Sequence, residues 1–188
     1  MGMISKQLSR KPVTEPRARV KTRRMLTGRC QQPGGRVSVT KEFAMSAAMH
    51  CATALDELPP PPCARLLGWR ILAVKPKEGW IKVGFDARWE FTNPAGYIQG
   101  GFLAAMLDDT MGPAVFAMTE GRLYSPTIEM TVSFLNPARP GRLVGEGRVV
   151  QLGKSIAFLE GSLTDAAGTL IARATASARL VEAGKALA

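Results

Sequence analysis

Between Asn93 and Gly112 this chain of 188 residues places a glycine pair, Gly100-Gly101, ahead of an apolar run that carries two adjacent carboxylates, Asp108 and Asp109. If the run is helical, the glycines stand at its mouth. Unpaired N–H groups and the positive end of the helix dipole then face an incoming oxyanion. An ionised aspartate two turns inside, among Phe102, Leu103 and Met106, is costly unless it is paired or working. An oxyanion donor followed by a carboxylate able to activate water points to acyl-group chemistry.

Geometry adds a constraint. Gly100 and Asp108 are eight residues apart, so on one helix they lie about 12 Å apart along its axis. A carboxylate must approach its water to within about 3 Å, and that water must approach the carbonyl held by the donor. The simplest arrangement is a two-fold interface in which Gly100 of one subunit faces Asp108 of the other. That implies two composite sites per dimer and an inactive monomer. Asp109, about 100° further round the helix, points to a different face, and these arguments alone do not choose between the two carboxylates.

Composition excludes several other chemistries. His50 is the only histidine, which rules out a His-rich metal site and leaves a Ser–His or Cys–His hydrolase one residue in a poor context. Cys30, Cys51 and Cys63 fit neither a disulfide framework nor a zinc site, and suit a reducing compartment. No metal or redox cofactor is expected. No long apolar run or secretory leader is present, so the expectation is a cytoplasmic protein with no membrane span. The net charge of +10 sits entirely in the first 41 residues, which hold eleven Lys or Arg against one acid. Residues 1–43 therefore read as a basic, disordered extension, with Met45 a plausible start, and residues 44–184 as the folded domain. Nucleic-acid binding by the tail is the minor reading and predicts salt-sensitive binding lost with residues 1–41.

The elements that must position these groups follow from periodicity. Ala44 to Glu57 reads as a short helix, and Pro59 to Pro62 as a stiff spacer. Trp69 to Val74 and Trp80 to Phe85 read as a hairpin across Lys77-Glu78-Gly79, and Asn93-Pro94 as a turn. Gly100 to Met118 is apolar on nearly every side and must be wrapped by other elements. Pro113 is expected to kink or break it. Thereafter the period is two: Ile128 to Phe134, Leu143 to Leu152, Ser155 to Thr164 and Thr169 to Leu180 read as four strands of a meander. The expected class is α+β, an antiparallel sheet of about six strands wrapped around one apolar helix. Arg139, Arg142 and Lys154 fall at strand ends, where they read as solvated turn charges or as contacts for phosphates.

Asn93, Gly96, Gly100-Gly101 and Asp108, followed by Thr127 to Val132 and Asn136-Pro137-Ala138, resemble the hotdog-fold thioesterases of the PaaI-like group. The resemblance covers about residues 50–181. It implies the hotdog fold, dimers or dimers of dimers, and hydrolysis of acyl-CoA thioesters with CoA entering only as part of the substrate. Carried over by position, Asp108 corresponds to the family's catalytic carboxylate, acting as general base or nucleophile. Gly100 corresponds to the N–H donor to the thioester oxygen, Asn93 to a polar residue near the thioester or its water, and Thr127 to a hydroxyl that helps place that water. Gln99 stands where the family more often has His; it can hydrogen-bond but cannot shuttle a proton near neutral pH. The other readings are a hotdog hydratase, for which the motif offers no His, and a non-catalytic acyl-CoA-binding or regulatory protein.

Overall fold

The structure, a computed structural model, describes residues 53–186. The basic extension, Cys30, Met45, His50, Cys51 and most of the helix expected over 44–57 lie outside the described residues. What is described of that helix is one 3₁₀ turn, Ala54–Glu57. Next comes a helix absent from the sequence reading, which shares only Pro62 with the expected spacer: α1, Pro62–Leu67, opens on that proline and ends at Gly68 in the left-handed region. Proline is at home in the first turn, where its missing N–H would have no partner anyway. The proline run therefore ends by starting a helix.

The strands are β1 (Arg70–Lys75), β2 (Trp80–Ala87), β3 (Leu123–Tyr124), β4 (Thr127–Phe134), β5 (Gly141–Leu152), β6 (Ile156–Asp165), β7 (Leu170–Arg179) and β8 (Val181–Glu182). Six of them form one antiparallel sheet in the order β1-β2-β5-β6-β7-β4, while β3 and β8 pair separately. This corrects the simple meander. β4 does not pair with β5; it lies beside β7 at the sheet edge. Alternation marks a strand without naming its neighbour, and Pro137 and Pro140 deny β4 and β5 a tight hairpin. The connector instead crosses the end of the sheet, tied down by Leu135 and Asn136 N–H to the Ile171 carbonyl (2.8 and 3.2 Å).

Helix α2 (Gly100–Met118) lies on one face of this sheet, with Leu103, Met106, Leu107, Met111 and Val115 all buried. Glycines let it approach closely. Gly147 of β5 pairs with Gly161 of β6, and a Cβ on Gly147 would fall 2.5 Å from the Thr110 carbonyl oxygen. A Cβ on Gly161 would fall 2.9 Å from Met111 Cγ, and one on Gly145 would collide with the Thr110 hydroxyl. So the helix rests on bare backbone at its middle turn. Arg148, Glu160 and Arg173 alternate with the buried strand residues and face the other way.

Of the kink or break expected at Pro113, the break does not occur; α2 runs on to Met118. Proline removes the N–H that would meet the carbonyl four residues back, that of Asp109. The indole N–H of Trp69 takes its place, donating to the Asp109 carbonyl at 3.0 Å. A replacement donor from another element keeps the turn intact.

Candidate active site

The two adjacent carboxylates meet different surroundings. Asp108 is exposed and faces the edge strand, where Thr127 Oγ1 donates to its Oδ1 at 2.7 Å. Thr127 opens β4, so the contact joins the third turn of the helix to the start of that strand. One carboxylate oxygen is thereby fixed, and an ionised carboxylate keeps acceptor capacity on the other. Asp109 is half-buried and points towards α1, where Cys63 Sγ donates to its Oδ2 at 3.6 Å. Burial pushes the Asp109 carboxyl above the ordinary aspartate range; the Cys63 hydrogen bond opposes this and the nearby Asp108 charge adds to it. Burial also raises the Cys63 thiol, helped by the charges of Asp109 and Asp108.

Gly100 sits at the other end of this half of the helix. Its neighbour Gln99 holds the N-terminus by its main chain: the Gln99 carbonyl accepts from Phe102 N–H (2.9 Å) and Leu103 N–H (3.3 Å). The Gln99 side chain is exposed and makes no capping bond. Among the described residues, the N–H groups of Gly100 and Gly101 meet no backbone acceptor outside the helix, and at a helix start no helical carbonyl lies four residues back to receive them. A Cβ on Gly100 would lie 3.1 Å from the Phe134 ring, whereas Gly101 faces open space. A side chain at Gly100 would therefore press on the Phe134 ring.

A cavity of about 440 Å³ opens beside Gly100, bordered by Asn93, Tyr97, Leu103, Phe134 and Pro137. Tyr97, on its border, has the Arg139 guanidinium 5.0 Å from its ring centre. Asn93 spends its side-chain oxygen on its own loop, accepting from Ala95 N–H (3.0 Å) and Tyr97 N–H (3.2 Å). Its amide NH₂ is what remains to face a ligand. A second depression of about 490 Å³ lies on the outer face of the sheet among Trp80, Arg148, Glu160 and Arg173. It contains none of the candidate site residues, so its size does not make it the better site.

The structure thus gathers the expected residues into two groups. Asp108 with Thr127 lies at one end of β4, and Gly100 with Asn93 at the other end, next to Phe134. Arg139, Arg142 and Lys154 do not form one cluster, because β5 is twelve residues long and separates Lys154 from the other two. Sequence reading missed Cys63 and Trp69. Both reach Asp109 across more than 39 residues of chain, and no local pattern records such contacts.

Among the described residues no group of His, Cys, Asp and Glu could hold a metal ion, and no helix is long and apolar enough to cross a membrane. Residues 95–172 match the family model described as "Thioesterase superfamily". Human acyl-coenzyme A thioesterase 13 is 31% identical over 111 residues, 58% of this chain and 78% of its own length. The phenylacetic acid degradation-related protein of Ralstonia eutropha is 36% identical, with a TM-score of 0.63 over 67% of this chain and 95% of that one. The E. coli PaaI protein, 20% identical, has the same fold, with a TM-score of 0.59 over 77% of this chain and 96% of its own.

Proposed function

Because this chain belongs to the thioesterase superfamily and is a thioester hydrolase with the hotdog fold, we propose that it cleaves acyl-CoA by water attack assisted by Asp108. The observation that carries this reading is the short Thr127–Asp108 hydrogen bond. It orients one carboxylate oxygen and leaves the other to take a proton from water. As water adds to the thioester carbonyl, the oxygen gains negative charge, and the Gly100 N–H at the positive end of α2 stabilises it. Collapse of the tetrahedral intermediate expels CoA thiolate. Gln99 hydrogen-bonds without exchanging a proton, so proton movement falls to Asp108. Attack by Asp108 itself, through an anhydride, uses the same residues.

The edge strand supports a composite site. β4 runs alongside α2 with Thr127 near Asp108 and Phe134 near Gly100. Its outer edge is unpaired in the sheet, and Ile128 and Phe134 are 60% and 53% exposed on it. An open, partly apolar edge is a ready template for another strand. Pairing of two copies antiparallel about a two-fold axis at the middle of β4 sets the Thr127 end of one against the Phe134 end of the other. Asp108 of one subunit then faces Gly100 of its mate, which overcomes the separation of about 12 Å along one helix.

The test is release of free CoA thiol from a panel of acyl-CoAs by wild type and Asp108→Asn. Collapse of turnover in a variant that remains folded supports the reading; equal turnover in both proteins places the chemistry elsewhere. Saturable acyl-CoA binding without turnover by wild type would make the protein a binder.

A further inference from the structure

Two segments of different origin build the cavity beside Gly100: the loop at residues 93–98, and the end of β4 with the connector that follows it. The main chain locks them together. Ile98 N–H donates to the Ala138 carbonyl at 2.8 Å, and Leu135 N–H ties the connector to the Ile171 carbonyl at 2.8 Å. The lining is mostly carbon, from Ile98, Leu103, Phe134, Leu135 and Pro137, and none of its side chains is charged. Its two amides are partly committed to the fold, Asn93 through its oxygen to the N–H groups of Ala95 and Tyr97, Asn136 through its NH₂ to the Leu170 carbonyl. Phe134 and Leu135 are half-exposed, apolar surface that a guest of like character would take from water.

Phe134 stands nearest the chemistry. On β4 it pairs with the small, buried Ala172, and its ring reaches the helix start, 3.1 Å from where a Cβ on Gly100 would lie. A thioester whose oxygen meets Gly100 N–H brings the substituents of its carbonyl carbon up to this ring. Those substituents are the acyl chain and the CoA sulfur, and only the first can be hydrocarbon throughout. We propose that Phe134 is a specificity-determining residue whose ring sets how far an acyl chain extends into this cavity, and that the substrates carry uncharged hydrocarbon chains. This inference rests on the thioesterase reading of Gly100 and Asp108 and names the substrate class of that site. An acyl group ending in a second carboxylate would bury its charge among uncharged side chains.

The test measures kcat/KM of the full-length protein on straight-chain substrates from butanoyl-CoA to tetradecanoyl-CoA. In wild type it is expected to rise by up to about fourfold per added methylene, then to level off where the chain meets Phe134. Phe134→Ala moves that limit to longer chains and Phe134→Trp moves it to shorter ones. The quantity compared is the ratio of long-chain to short-chain kcat/KM within each protein, so a general loss of folded or active enzyme cancels. Opposite shifts in the two variants support the proposal. A profile unchanged in both, or scaled equally at every length, overturns it and assigns the ring to the CoA arm or to the fold alone. Hexanoyl-CoA is expected to exceed adipoyl-CoA by more than about tenfold in wild type; equal turnover of the two overturns the hydrocarbon class.

A second readout needs no turnover. Thioether analogues of the same acyl-CoAs are titrated by calorimetry into wild type and Phe134→Ala, with Asp108→Asn assayed for hydrolysis alongside. A length limit in affinity that moves with the substitution upholds the pocket, and one that stays in place overturns it. Loss of turnover in Asp108→Asn with an unmoved limit refutes the role of Phe134 alone. Retained turnover there refutes the reading of Asp108, and the pocket is then decided by the titrations.

Discussion

At the scale of single residues, the two neighbouring aspartates differ because their surroundings differ. Asp108 meets a hydroxyl at the surface and Asp109 a thiol in partial burial. Replacing Asp108 with Asn is expected to lower kcat by about 10²–10⁴, the usual contribution of a positioned general base. Thr127→Val keeps the shape and loses the hydrogen bond, and about a tenfold loss of kcat/KM is expected, equivalent to ~1.4 kcal/mol. Asp109 makes a prediction of opposite character. Its pKa is raised on folding by burial, so above the ordinary aspartate value of about 3.9 the native state holds a proton that the unfolded chain has released. Stability therefore falls as pH rises from there through the elevated native value. Chemical denaturation of wild type and Asp109→Asn across pH 3.5–7 should show that decline reduced in the variant. Gly100 was legible as the start of α2, whereas helix spacing left Asp108 and Asp109 undecided and only the family resemblance singled out Asp108. Asn93 was legible as a polar residue at the site, although its oxygen is committed to the loop. The partners of Asp109 were not legible, since they come from another element.

At the scale of elements, the sequence betrayed each strand of the main sheet, the wrapped helix and the β1–β2 turn. These depend on local periodicity and on glycine at Gly79, whose φ is 60°. It did not betray the place of β4, because sheet order is decided by which edge a connector can reach. Nor did it betray the continuity of α2 through Pro113, where a distant indole supplies the missing donor. The glycines under the helix carry a prediction of their own. Gly147→Ala drives a methyl group into the Thr110 carbonyl. Backbone cannot swing aside as a side chain can, so a loss of about 1–3 kcal/mol is expected. Thermal unfolding should show it as a lower Tm, whereas Gly101→Ala, with open space around it, should not.

At the scale of the whole molecule, the decisive matter is whether one chain suffices. If sites are shared across the β4 edge, Asp108→Asn and a bulky replacement, Gly100→Trp, are each inactive alone. Mixed dimers of the two nevertheless contain one site with both wild-type groups. Co-refolding equal amounts should restore about a quarter of wild-type turnover, as half the dimers are mixed and each has one working site of two. No recovery would mean that each chain works alone. The glycine track beneath α2 has a further consequence. A helix seated on bare backbone cannot roll or slide without collision, so the direction of Asp108 is set by the scaffold. The cavity beside Gly100 is instead bounded largely by the loop at Asn93–Tyr97 and by the end of β4 with its connector. Lineages descended from such a fold are free to exchange one substrate for another through those borders while inheriting the hydrolytic machinery intact.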